Sequence, residues 1–221
     1  MTPTVQVSLD VETIGEARAL GEIALESGVD WLEAGTPLLF CEGFASLKAL
    51  RAAFPETPLV ADLKVVDGGY YFGRLVARAG ATHMDVMASA HEATLRGAGR
   101  AAKEFGITTL GDLMLAPDVV AAARLVEACG MQYAMLHLGY EHRHANAHLS
   151  PLDGLDAVRE AVSIPIQVVG GLSPEQAFEA VRRGADSVVV GGPILPGDRG
   201  PGLLAALREV VQGVREAARG R

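Results

Sequence analysis

Eight short runs rich in β-branched and small apolar residues recur along this chain, each followed by a segment with helical periodicity. They are VQVSLD (5–10), WLEAGT (31–36), LVADLK (59–64), HMDVMA (83–88), TTLGDL (108–113), YAMLHL (133–138), IQVVGG (166–171) and SVVVGG (187–192). Runs of that length bounded by turn residues read as strands, and apolar positions three and four apart, as at Leu20, Ile23 and Ala24 or Phe178 and Val181, read as one face of a helix. Helix boundaries carry their own signals. Thr13 with Glu16 and Ser173 with Gln176 have the spacing of a capping box, Pro174 suits a first helical position, and Gly184 closes the helix before it. Strictly alternating βα units about 20 to 33 residues apart predict one (β/α)8 TIM barrel over residues 1–221, not an open doubly wound sheet with a second domain. The one loosely patterned segment, EHRHANAHLSP (141–151), is expected to be a loop beside the active site.

Bulk properties narrow the partners. With 221 residues, 49% hydrophobic content and 21% charged residues, the chain can bury one sizeable core. A net charge of −8 disfavours nucleic acid and anionic membranes, because an acidic surface repels phosphates at long range. Cys41 and Cys129 stand far apart, which suggests neither a disulfide framework nor a zinc site. No stretch approaches the roughly 20 apolar residues of a membrane span. A cytoplasmic protein with no membrane partner is the expectation.

Polar residues collect late in successive strands: Asp10, Glu33, Asp62 with Lys64, Asp85, Asp112 and His137, then Gly170–Gly171 and Gly191–Gly192. On an isolated strand LVADLKV, Asp62 and Lys64 would share one face with Val60, as at a half-exposed sheet edge. In a barrel the same positions line the active site at the C-terminal ends of the strands. Glycine pairs ending strands seven and eight let a phosphate approach backbone N–H groups, although glycine also serves tight turns, and Pro193 removes one donor. Glu33 and Asp62 on neighbouring strands make an oxygen-ligand site suited to Mg2+, with Mn2+ the alternative. Lys64 beside Asp62 and Asp67 is expected to stay protonated, and His137 is the candidate general acid/base. A divalent metal, a lysine and a histidine around a phosphate grip suit a sugar-phosphate enediolate, which a metal ion stabilises by several kcal/mol.

The run ADLKVVD resembles the D-x-K-x-x-D signature of the orotidine 5′-monophosphate decarboxylase suprafamily. VQVSLD, LEAGTPLLFCEG, LHLGYE, VVGGL and VVVGGPI look like its magnesium-dependent branch, which comprises 3-hexulose-6-phosphate synthase and 3-keto-L-gulonate-6-phosphate decarboxylase. The resemblance implies that Glu33 and Asp62 hold magnesium, that Lys64 and Asp67 complete a charged cluster, that Asp10 lies near the substrate hydroxyls, and that His137 moves the proton. It also implies a homodimer with the sites near the interface, the residue at Asp67 reaching into the neighbouring site.

Within that branch the decarboxylases carry an arginine three residues after the histidine, a glutamate on strand five and an arginine after the first glycine of strand eight. This chain has Tyr140, Asp112 and Gly192 at those positions, as the synthases do. Leu138, Glu141 and Pro193 depart from the synthase pattern, and Arg143 offers an arginine from a shifted position. His142, His144 and His148 are read as part of a solvated loop. The resemblance thus implies a lyase: an aldolase acting on ribulose 5-phosphate and formaldehyde, with Asp10, Asp112, Tyr140 and the glycine pairs binding substrate. The alternatives are a phosphorylated keto-sugar decarboxylase, an isomerase or epimerase using the same groups, and a non-catalytic sugar-phosphate binder.

Overall fold

A computed structural model describes residues 2–192, 195 and 201–220. Eight parallel strands close into one barrel in sequential order: β1 (Thr4–Leu9), β2 (Trp31–Ala34), β3 (Leu59–Val65), β4 (His83–Met87), β5 (Thr108–Asp112), β6 (Tyr133–His137), β7 (Ile166–Val169) and β8 (Ser187–Val190). The ring shuts where β1 pairs with β8, Thr4 standing opposite Ser187 and Val7 opposite Val190. Outside lie α1 (Ile14–Glu26), α2 (Thr36–Glu42), α3 (Phe44–Ala53), α4 (Gly69–Ala79), α5 (Glu92–Phe105), α6 (Val119–Ala128), α7 (Tyr140–Ala145), α8 (Leu155–Ala161), α9 (Pro174–Arg182) and α10 (Pro201–Ala218). The (β/α)8 expectation holds.

Side chains alternating outward from the strands, such as Val5, Val7, Leu32, Ala61, Met84, Val86, Val168 and Val188, are buried against the helices and form the main core. The barrel interior is more polar than the branched aliphatic layers usual for this architecture. Gln6 and Gln167 are buried and hydrogen bonded to one another at 3.0 Å, and Gln167 also donates to Ser187 Oγ at 3.0 Å. Below them Trp31 stacks on buried His83 at 4.2 Å and meets Tyr133 edge-on at 5.7 Å, an aromatic floor from β2, β4 and β6.

The capping signals are mostly realised. Ser173 and Gln176 form the full reciprocal box at the start of α9, with Pro174 at its first turn. Thr13 accepts from the Glu16 N–H, but its hydroxyl also bonds the Glu16 carboxylate at 2.9 Å. Three expectations need correction. Residues 140–145 are a short helix, not a loop; α7 buries none of its side chains, so no apolar periodicity announced it. The glycine pairs lie beyond the strands, because Gly170 at φ 129° and Gly171 at φ 67° leave the β region. The alternation of β3 breaks near its end: Lys64 has φ 47°, and the β3–β4 register shifts between Ala61 and Val65. Pro193 lies outside the described residues.

Candidate active site

A cavity of about 900 Å³ opens at the C-terminal end of the barrel. Its lining shows the two-residue period directly: Ser8 and Asp10, Asp62 and Lys64, Met135 and His137, and Val189 and Gly191 are each two apart on one strand or its extension. Glu33, Thr36, Tyr140, Arg143, His144 and the glycines Gly170, Gly171 and Gly192 also belong to the wall. Of the acidic residues singled out in the sequence, Asp67, Asp85 and Asp112 do not line this cavity.

On the β2–β3 side, Lys64 Nζ lies 2.5 Å from Asp62 Oδ1 and donates to Thr36 Oγ1 at 2.8 Å. The Thr36 hydroxyl donates to Asp62 Oδ2 at 2.5 Å, and the Thr36 N–H reaches the same oxygen at 3.1 Å. Thr36 opens α2 directly after Gly35, so the helix start itself grips Asp62. Burial opposes the charge on both partners. For Lys64 the Asp62 and Asp85 carboxylates outweigh it and push the ammonium above its ordinary range; for Asp62 the lysine and Thr36 outweigh it and push the carboxyl down.

Asp85 explains the bend in β3. It is buried, and its Oδ1 accepts the Leu63 N–H at 2.7 Å and the Lys64 N–H at 3.0 Å. Two successive amides turned toward one carboxylate require the left-handed backbone at Lys64, the only described residue other than glycine with positive φ. Asp85 therefore sets the direction in which Lys64 enters the cavity.

Glu33 is buried and receives Gln6 Nε2 at 2.7 Å. Burial, then the nearby Asp62 and Asp10 carboxylates, push it up to about 8. That is a surplus of negative charge facing the cavity, of the kind a divalent cation neutralises. Among the described residues no three His, Cys, Asp or Glu side chains converge as an ion cage. The hard oxygens of Glu33 and Asp62 suit magnesium, which takes one or two carboxylates and fills its other positions with water and substrate. Asp10 is held by Ser8 Oγ at 2.9 Å, and its carboxylate fills the space a Cβ on Gly35 would need.

Across the cavity, His137 Nδ1 pairs with Asp112 Oδ2 at 2.8 Å, while Asp112 Oδ1 accepts the Met114 N–H at 2.8 Å. Asp112 is fully buried. Read from the sequence as a substrate contact, it lies outside the cavity lining and holds His137 and the Met114 amide. This leaves His137 Nε2 to face the cavity. Asp67 is exposed and bonded locally, accepting the Gly68 N–H at 2.7 Å and the Thr94 hydroxyl at 3.4 Å. The expectation that it sits beside Lys64 in the same chain is not met: the β3 bulge and the turn at Gly68 carry it away from the cavity.

The glycines differ in role. A Cβ on Gly170 would strike the Leu138 backbone, and one on Gly171 would strike the Arg143 guanidinium. Among the described residues a Cβ on Gly192 would meet nothing within 4 Å, and one on Gly191 would meet only Asp10 at 4.0 Å. Tyr140 is exposed at the rim, its ring 4.2 Å from that of His144. Sequence reasoning had assigned no role to Thr36, Ser8 or Gln6. Their signal was weak, since a hydroxyl or amide beside a carboxylate in sequence is common.

The model of the orotidine 5′-phosphate decarboxylase / HUMPS family matches residues 3–199. The chain belongs to that family. Among family relatives, 3-hexulose-6-phosphate synthase of Bacillus subtilis is 30% identical over 190 residues, covering 86% of this chain and 89% of the relative. The crystal structure of 3-hexulose-6-phosphate synthase from Salmonella typhimurium superposes with a TM-score of 0.89 at 29% identity, covering 97% of this chain and 99% of that one. A 3-keto-L-gulonate-6-phosphate decarboxylase from Vibrio cholerae superposes with a TM-score of 0.79 at 28% identity, covering 96% and 98%. In this family member, as in the sequence reading, no helix among the described residues is long and apolar enough to cross a membrane.

Proposed function

We propose that this lyase is a magnesium-dependent, cytoplasmic aldolase that removes a C1 proton from D-ribulose 5-phosphate and joins the resulting enediolate to formaldehyde, giving a hexulose 6-phosphate. The observation that carries the reading is the His137–Asp112 pair facing Glu33 and Asp62 across one cavity. The synthase relatives support it.

Magnesium, when bound at Glu33 and Asp62, offsets negative charge developing on the substrate oxygens. The chain's own groups do the rest. His137 Nε2 takes the C1 proton, and Asp112 at Nδ1 steadies the imidazolium that forms. The C1 carbon then bonds to the formaldehyde carbon, and the new alkoxide receives a proton. Lys64 keeps its charge throughout, held by Asp62, and stabilises the anionic intermediate. Asp10 orients substrate hydroxyls, and the glycine pairs admit the phosphate.

The decarboxylase alternative reaches the same enediolate by losing carbon dioxide, and the likeness to the Vibrio cholerae enzyme supports it. One assay decides between them, with magnesium and with chelator: ribulose 5-phosphate plus formaldehyde in one arm, 3-keto-L-gulonate 6-phosphate in the other. Condensation lost on chelation is the expected result. Efficient carbon dioxide release with feeble condensation would replace the aldolase reading with the decarboxylase one.

A further inference from the structure

We infer that Arg143 is the specificity residue by which this chain recognises the phosphate of its substrate, a role resting on the phosphorylated-ketose reading above. Nothing in the glycine pairs supplies a full positive charge. Of the described residues lining the cavity, only Lys64 and Arg143 are permanently cationic, and Lys64 is paired with Asp62. Asp10, Glu33 and Asp62 make the β1–β3 wall repulsive to a dianion. Arg143 stands on the opposite wall, its Nη1 donating to the Gly171 carbonyl at 3.0 Å.

The guanidinium is poised rather than consumed. Among the described residues it has no carboxylate partner, and its buried Nε has no hydrogen-bond partner. A guanidinium has five donors in a rigid fork matched to phosphate, so one neutral carbonyl uses little of its capacity. Rotation of its terminal torsions beside Gly171 would carry two donors to a phosphate oxygen pair while α7 stays in place. A Cβ at Gly192 would meet no described residue within 4 Å. Gly171 leaves room for the same guanidinium. The arginine and the second glycine of the pair thus form one unit, supplied from the ends of two adjacent strands.

Calorimetric titrations of the wild-type protein, Arg143→Gln and Arg143→Lys with D-ribulose 5-phosphate, D-ribulose and inorganic phosphate, in magnesium, test this. Arg143→Gln should weaken ribulose 5-phosphate and inorganic phosphate by about 10- to 100-fold, as loss of charge-assisted hydrogen bonds does. D-Ribulose affinity should stay unchanged, and Arg143→Lys should recover part of the loss. In turnover the change should fall on KM, with kcat within about threefold. Equal weakening of all three ligands would make Arg143 a mere prop for α7 and overturn the inference, as would unaltered phosphate affinity. Arg143-dependent phosphate binding in a protein that does not turn over ribulose 5-phosphate would retire the aldolase reading and leave this inference standing.

Discussion

His137 presents Nδ1 to a carboxylate that solvent does not reach: Asp112 Oδ2 lies 2.8 Å away, and Asp112 Oδ1 is fixed by the Met114 amide. An imidazole held in this way keeps one tautomer, with Nε2 free for the substrate. Asp112→Asn leaves the ring in place but removes the anion that steadies its protonated form. We expect C1-proton exchange with deuterated water to fall about 10²-fold in Asp112→Asn and 10²- to 10⁴-fold in His137→Asn, with KM little changed. Exchange at the wild-type rate in His137→Asn would assign the proton transfer elsewhere.

Thr36 bridges Asp62 and Lys64 with one hydroxyl. Thr36→Val keeps the shape of the side chain and removes the bridge, so the carboxylate loses part of its support as the proposed metal ligand. Partners of this kind alter metal affinity by about 10- to 100-fold. The magnesium concentration for half-maximal activity should rise within that range, while activity at saturating magnesium stays near normal. An unmoved magnesium titration would mean that Asp62 is positioned without Thr36.

Asp85 ties the bulge of β3 through two backbone amides. Asp85→Ala leaves both N–H groups buried without that acceptor, a change of about 1–3 kcal/mol for each group, reduced here by the relief of a buried carboxyl that its surroundings push up. A net destabilisation of about 2 kcal/mol in urea is expected, with Asp85→Asn intermediate because it retains an acceptor. Activity should fall further than stability alone explains, since Lys64 loses its approach angle. Full activity with an unchanged urea midpoint would remove Asp85 from this role.

Burial pushes His83 down to about 4 from its ordinary 6.5. The folded protein therefore keeps this imidazole neutral at a pH where the unfolded chain protonates it. Stability from this site is whole above pH 6.5 and declines as pH falls toward 4, where the folded form begins to take up the proton as well. The full span corresponds to about 3 kcal/mol. Between pH 7 and 4.5, His83→Phe should lose about 2–3 kcal/mol less unfolding free energy than the wild-type protein, measured by urea titration at each pH. Parallel losses in the two proteins would contradict a neutral buried His83.

The barrel was legible because βα alternation and capping pairs are local signals, repeated eight times and pointing one way. The charged wall was legible for a related reason: inward positions of parallel strands recur every second residue, so Asp62, Lys64 and His137 could be placed before any contact was known. Asp112 was placed on the correct strand, but its pairing with His137 was not foreseen, since sequence position does not say that a second strand will bring His137 to it. Strict alternation was carried through Lys64, where the backbone in fact breaks it. The bulge that breaks it depends on Asp85, 21 residues on. Helix α7 escaped notice because a short helix with no buried face leaves no periodic trace.

Phe40 on α2, Val66 after β3 and Tyr71 on α4 are 85%, 64% and 53% exposed, three large apolar side chains from two consecutive βα units. Water contact with such a group is unfavourable, and a second copy of the chain is the partner implied by the family resemblance. Asp67 lies between Val66 and Tyr71 in sequence, is exposed and does not line its own cavity, so association through this face would bring it to the neighbouring chain. Phe40→Asp buries a charge in that contact without touching the cavity's catalytic groups. We expect the wild-type protein to run as a dimer in light scattering and Phe40→Asp to run as a monomer at micromolar concentration. If Asp67 acts across the interface, the monomer should lose turnover about as severely as Asp67→Asn does in the dimer, and combining the two changes should add little. A fully active Phe40→Asp monomer would place every working residue of the site within one chain.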